Sequence, residues 1–205
     1  IGPFNSGGRI RSVVINPFNS QTIFIGAAGG GVWKTMDGGA NWATTFDKLP
    51  SLVMGAIAID PADTNVIYAG TGEDVPAFAT YEGEGMFKSR DGGNTWEPLG
   101  LEAVGAFSEI TVHPSNRNLI YAAAARSNGG FYRSDDAGKT WIKTFNTDLF
   151  DMSVNSKNSN TLIVATYNGI YRSTDAGISF VALGGASLPA NNISRISLAI
   201  APSDT

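Results

Sequence analysis

Four aspartates recur in one phrase, Ser/Thr-x-Asp-x-Gly-x-(Thr/Asn/Ser)-aromatic: "TMDGGANW" holds Asp37, "SRDGGNTW" Asp91, "SDDAGKTW" Asp136 and "STDAGISF" Asp175. A carboxylate in a glycine turn invites two chemistries, metal ligation and proton transfer. Four copies along a repeating chain cannot converge on one substrate, and one carboxylate without a second beside it is a poor pair for glycoside chemistry. "SDDAG" has a faint likeness to a calcium loop but lacks the alternating oxygen ligands and the distal Glu. A fastening role fits better. The aspartates accept backbone N–H bonds in an Asx-type turn, and Gly39, Gly93, Gly138 and Gly177 supply a position of positive φ. Trp42, Trp96, Trp141 and Phe180 each bury a ring against the hairpin for about 1.5–3 kcal/mol.

Other chemistry-bearing residues are sparse. His113 is the single histidine and cysteine is absent, so a zinc site or a Ser-His-Asp triad is not available from this sequence, and no cofactor or metal is expected. His113 fills a turn slot held elsewhere by Asn16, Asp60 and Asn155, which makes it a turn residue. The segment "GTGEDVPAFATYEGEG" (70–85) is longer than its counterparts and carries Glu73, Asp74, Phe78, Tyr81, Glu82 and Glu84. Carboxylates beside aromatics on an extended loop suit sugar or peptide binding, and two of them would serve as acid and base. The competing reading is a solvated loop covering a neighbour.

The elements that position these residues form one repeated unit. Each begins with a β-patterned run ending at a turn: "RSVVINP", "GAIAIDP", "SEITVHP" and "DMSVNS", with a fifth start reaching Pro202. Large apolar residues alternate with small or weakly polar ones, the period-2 pattern of a strand. A second run ("TIFIGA", "VIYAGT", "LIYAAA", "LIVATY") is rich in β-branched and aromatic residues. A third run leads into the aspartate phrase and a fourth leaves from its aromatic, where Arg133 and Arg172 take the places of Lys34 and Lys88 and are expected on the blade surface. Four-stranded antiparallel units at a period of about 40–50 residues spell a β-propeller. The expectation is therefore all-β: a partial propeller with four blades at about 9–50, 51–104, 105–147 and 148–190, and the start of a fifth at 191–205.

Composition agrees. Charged residues make up 16% and glycines number 25, which suits short strands and tight turns. With 14 basic and 18 acidic residues and a net charge of −4, nucleic acid and anionic membranes are unsuitable partners. No apolar run approaches the roughly 20 residues of a spanning helix, so no membrane insertion is expected. The chain is expected to be an excerpt that continues into further blades.

The four phrases resemble the Asp-box, or BNR repeat, of sialidases, xyloglucanase-type glycoside hydrolases, sortilin-type Vps10 domains and a photosystem assembly factor. The segments "IGPFNSGGRI", "GGGVWKTMDGGANW", "IAIDPADTNVIYAGTGE" and "GMFKSRDGGNTW" look most like secreted bacterial proteins with sortilin-N-terminal-like propellers. The resemblance implies a structural phrase on the face opposite the ligand site. A sialidase would need three converging arginines and a Tyr–Glu pair, which are not assignable here.

In a propeller the opposite rim is lined by the starts of the innermost strands and the loops between second and third strands. Binding is therefore expected at Arg9, Glu73, Asp74, Tyr81, Glu82 and Glu84, joined by Arg126, Asp151, Tyr167 and Arg195, with Met54 and Glu109 also near strand entrances. The functional expectation is an exported or cell-surface bacterial module that binds protein, peptide or glycan, with no catalytic residues assigned. The alternative is a xyloglucanase-like hydrolase with paired carboxylates.

Overall fold

The computed structural model describes residues 9–74, 81–184 and 196–201. Its regular elements are all strands, arranged as four antiparallel four-stranded sheets. The first contains β1 (Ile10–Ile15), β2 (Ile23–Ala27), β3 (Gly31–Thr35) and β4 (Ala43–Thr44). The second contains β5 (Met54–Ile59), β6 (Ile67–Thr71), β7 (Met86–Ser89) and β8 (Glu97–Pro98). The third runs through β9 (Ala106–Val112), β10 (Ile120–Ala125), β11 (Gly130–Ser134) and β12 (Ile142–Phe145). The fourth runs through β13 (Leu149–Val154), β14 (Leu162–Thr166), β15 (Gly169–Ser173) and β16 (Val181–Ala182).

Each sheet is a meander in chain order, and β1, β5, β9 and β13 lie next to one another from sheet to sheet. This is an incomplete β-propeller with the first strand of every sheet innermost. Up-and-down order puts the starts of the inner strands and the loops between second and third strands at one end. The first turns and the aspartate phrases lie at the other.

The core lies between sheets. Phe24 and Val32 of the first sheet meet Ile57, Ile67 and Phe87 of the second. Tyr68 and Met86 meet Phe107, Ile110 and Val112 of the third, and Tyr121 and Phe131 meet Met152 and Val164 of the fourth. The alternation of the inner strands follows from this: Ile57, Ile110 and Met152 point to the preceding sheet and are 2%, 2% and 5% exposed. Their counterpart Val13 is 58% exposed, with no preceding sheet among the described residues. Small residues let sheets approach; a Cβ at Gly70 would stand 2.6 Å from Phe107.

The aspartate phrases build one repeated bond set. In the third sheet the Ser134 hydroxyl donates to Asp136 Oδ1 at 2.8 Å and accepts the Gly138 N–H at 2.8 Å, while the Thr140 N–H and hydroxyl donate to the two carboxylate oxygens. Ser89–Asp91–Thr95 and Ser173–Asp175–Ser179 repeat it, and Thr35–Asp37–Asn41 is a variant. Two consecutive residues have positive φ, as in Gly92 (69°) and Gly93 (82°), and alanine takes the first place at Ala137 (61°) and Ala176 (59°).

Trp42 Nε1 donates to the Gly39 carbonyl of its own phrase, but from the second sheet on the closing aromatic also reaches the preceding sheet. Trp96 Nε1 donates to Thr45 Oγ1 and Trp141 Nε1 to the Leu99 carbonyl, each in the preceding sheet. Phe180 lies 4.9 Å from both Phe131 and Phe145. Of the two third-strand arginines expected on the blade surface, Arg172 is exposed and Arg133 half-buried, whereas the lysines at the same place turn inward. Lys88 is 3% exposed and donates to the Ala137 carbonyl at 3.0 Å, and Lys34 donates to the Gly92 carbonyl at 2.8 Å. Each ammonium also lies over a second-strand aromatic ring, Lys88 Nζ 4.8 Å from the Tyr68 centroid and Lys34 Nζ 5.6 Å from that of Phe24. A lysine long enough to reach the next sheet gains a buried acceptor there, which a surface position would not supply.

Candidate functional site

The end opposite the phrases gathers charged and aromatic side chains from all four sheets. Arg9 stands just before β1, and its Nε and Nη2 each lie 2.5 Å from an oxygen of Glu73. Glu73 follows β6 and is 1% exposed, so this fork joins the first two sheets over a buried carboxylate. The ordering is local: the Gly72 N–H donates to the Val53 carbonyl at 2.8 Å and the Glu73 N–H to Tyr81 at 3.1 Å.

Asp74 lies 3.4 Å from Arg126 Nε, and Arg11 Nη2 donates to its carbonyl at 3.2 Å. Arg126 and Asn128 hold φ of 67° and 54°, so the third sheet's rim loop carries two left-handed non-glycine residues. Ser127 between them donates to Glu82. Tyr167, 43% exposed, packs edge-on against Phe150 at 4.2 Å, and partial burial first, then Asp74 and Asp148, pushes its hydroxyl above the ordinary range. Tyr81 is 63% exposed, and Glu84 is exposed, its N–H donating to Thr71 Oγ1.

Two carboxylates sit deeper. Glu109 stands in the middle of β9, not at its entrance, because β9 begins three residues earlier. Burial, reinforced by Asp151, pushes its carboxyl up to about 7. Asp151 on β13 accepts the Met152 N–H at 2.8 Å and the Leu198 N–H at 2.7 Å.

The structure thus brings together Arg9 with Glu73, Asp74 with Arg126 and Tyr167, and Glu82 with the Arg126 loop. Asp151 stands apart beside Glu109. Arg195 and Phe78 lie outside the described residues. Sequence reasoning did not single out Arg11, Ser127 or Asp148. The alternation of Arg9, just before β1, with Arg11, within it, was the available signal for the first; the others carry none.

The phrase carboxylates have the opposite electrostatics. Hydrogen bonds from the residues four positions on hold Asp37, Asp91, Asp136 and Asp175 down at about 2. Among the described residues no group of three or more His, Cys, Asp or Glu is placed to hold a metal ion.

No protein-family model matches the chain. Over 202 residues it is 24% identical to a xyloglucanase of Hypocrea jecorina, covering 88% of this chain and 24% of that one. Over 219 residues it is 26% identical to a xyloglucanase of a Paenibacillus species, covering 87% and 21%. The chain spans about a quarter of the length of these curated relatives. An ancestral GH74 enzyme superposes with a TM-score of 0.74 at 21% identity, covering 89% of this chain and 25% of that one. YCF48 bound to D1 peptide superposes with a TM-score of 0.55 at 15% identity, covering 82% and 50%. These structural likenesses carry the β-propeller fold.

Proposed function

We propose that this chain is part of an exported Asp-box propeller, sortilin-N-terminal-like in its repeats, that binds an uncharged glycan across the rim of Arg9, Glu73, Asp74, Tyr81, Arg126 and Tyr167. One observation carries the reading: the rim charges are matched within the protein, while two tyrosines beside them stay exposed. Arg9 is matched by Glu73 and Arg126 by Asp74. A charged ligand would have to break these pairs, whereas a neutral sugar can stack on tyrosine rings and bond to the pairs' remaining donors and acceptors. Homology to xyloglucanases supports a glycan over a protein partner.

The Leu198 N–H on Asp151 repeats the Ile57 N–H on Ser12, which supports reading 196–201 as the opening of a fifth unit. The propeller then continues beyond the four sheets, and the blade limits given above are retained.

Hydrolysis is the second reading, favoured by the relatives' names. Within this chain Glu73 is poorly placed for proton transfer, since both of its carboxyl oxygens are taken up by the Arg9 fork. Affinity electrophoresis in xyloglucan and mixed β-glucans, paired with a reducing-end assay, tests both. The expected result is retardation without new reducing ends, and about tenfold weaker binding in Tyr167→Ala. Loss of retardation in every glycan, with binding of a peptide in its place, would sink the proposal. Turnover abolished by Glu84→Gln or Glu109→Gln would replace it with hydrolysis.

A further inference from the structure

Where the closing aromatic of a phrase meets the preceding sheet, the residue it finds differs from seam to seam. At the second seam Leu99 fills the place: a Cβ at Gly138 would stand 2.5 Å from Leu99 Cδ2, and Leu99 and Trp141 pack on one core. At the third, Phe180 is stacked on Phe145 at an interplanar angle of 30°, and the Thr144 hydroxyl donates to the Gly177 carbonyl at 2.6 Å. The first seam is built otherwise. Thr45 stands there in the place of Leu99, Phe46 meets Trp96 at 74° rather than in a stack, and a cleft of about 450 Å³ opens beside the indole.

Its walls come from two sheets at their outer edge. The first gives Thr44 of β4 and the turn that follows, in which the Leu49 N–H donates to the Phe46 carbonyl at 3.1 Å and Asp47 and Lys48 are exposed. The second gives Asn94, Thr95 and Trp96. The indole is fixed, because Nε1 donates to Thr45 Oγ1 at 3.3 Å and the ring packs on the fully buried Phe46 with centroids 5.2 Å apart. A ring held this way is a platform.

Around it the polar groups offer both senses of hydrogen bond. One oxygen of Asp47 accepts the Thr44 hydroxyl at 2.7 Å, and a carboxylate has capacity for more. Thr95 gives its proton to Asp91, so toward the cleft it accepts, whereas Thr45 accepts from Trp96 and keeps its own proton to donate. Lys48 and Asn94 add donors, and the opposite charges of Asp47 and Lys48 leave the cleft neutral overall. The matching molecule has an apolar face for the ring and adjacent hydroxyls that each give and accept. A pyranose is such a molecule. A proline-rich peptide would call for a groove lined by several aromatics, and Trp96 is the one ring among the described residues that line this cleft.

We propose that the outer edge of the first seam is a saccharide site separate from the rim, taking one neutral pyranose unit against Trp96 with its hydroxyls on Asp47, Lys48 and Asn94. It shares no residue with the rim and stands independently of the rim's reading. The cleft falls at the low end of the range for small-molecule sites, about 300–1,000 Å³. A single ring with no buried charge suits a Kd of about 1–10 mM.

The Trp96 indole N–H is the reporter. Nitrogen–proton correlation spectra of the chain are recorded during titration with methyl glucoside, xyloside, galactoside and mannoside, with the peaks of Trp33, Trp42, Trp96 and Trp141 assigned. The expected result is a saturable shift of the Trp96 peak with at least one glycoside, the other three staying in place. Asn94→Ala, which installs the residue that the first phrase carries as Ala40, and Asp47→Ala should each weaken binding about two- to tenfold. Unmoved Trp33 and Trp42 peaks show that these variants remain folded, and Tyr167→Ala at the rim should leave the titration unchanged. No shift with any glycoside, a common drift of all four indoles, or undiminished affinity in both variants overturns the proposal. So does a shift lost in Tyr167→Ala, which would assign the binding to the rim, or one produced by an oligoproline peptide and by no glycoside.

Discussion

The Lys88 ammonium lies 3.0 Å from the Ala137 carbonyl oxygen, across the seam between the second and third sheets and over the Tyr68 ring. The acceptor is the left-handed residue next to Asp136, so the latch and the aspartate turn hold one another in place. Burial lowers the Lys88 pKa from its ordinary value, with Arg90 adding to the effect.

Lys88→Met keeps most of the stem and removes the charged bond, leaving the Ala137 carbonyl unsatisfied. The expected loss is about 1.5–3 kcal/mol in urea unfolding. Lys34→Met should cost less, because Lys34 is only partly buried. Equal, negligible losses would show that the latch contributes nothing.

In the phrases the serine is as important as the aspartate. Ser134 is 1% exposed and its hydroxyl serves both Asp136 and the Gly138 N–H. Ser134→Ala should cost about 2 kcal/mol, comparable to losing a helix cap with a buried N–H left behind. The four aspartates titrate at about 2 when folded, against an ordinary 3.8. Their contribution is full above 3.8 and fades as the pH falls toward 2. Acid unfolding should therefore become shallower in Asp91→Asn, measured by circular dichroism.

Glu109 gives the opposite slope. Its folded value of about 7 exceeds the ordinary 4.5, so its contribution is full below 4.5 and is lost as the pH rises through about 7. Glu109→Gln should flatten the stability profile between these limits and raise stability at alkaline pH by roughly 1–3 kcal/mol. A profile of unchanged slope would mean that Glu109 is ionised throughout.

Arg9 and Glu73 are unequal partners, since the arginine side chain is 55% exposed and the carboxylate 2%. Arg9→Ala leaves the buried Glu73 carboxyl without its partner and should lower the unfolding midpoint, while the double variant with Glu73→Ala recovers part of that loss. Additive losses would place the two residues in independent roles.

The all-β class and the four sheets were legible because the chain states them four times. A period-2 run, a turn and a glycine-rich phrase are each weak signals, and their regular return is not. The rim was legible only as topology. Glu73 and Asp74 were marked by an unusually long loop, but that Arg9 forks one and Arg126 flanks the other depends on contacts 64 and 52 positions apart, which no local pattern encodes. Lys88 shows the same limit: a lysine in a polar-looking strand slot reads as surface until the neighbouring sheet is laid over it. Glu109 was visible as an inner-strand residue, but its raised pKa comes from burial and from a charge on another sheet.

The lysine latches all point the same way. Lys34 grips the second sheet and Lys88 the third, each giving from the earlier blade to the later. Like roof tiles, the blades overlap with a direction, so detaching a later one strands a buried ammonium on its predecessor, whereas detaching an earlier one leaves only a carbonyl behind. Mechanical pulling should find the two ends of this row unequal in strength.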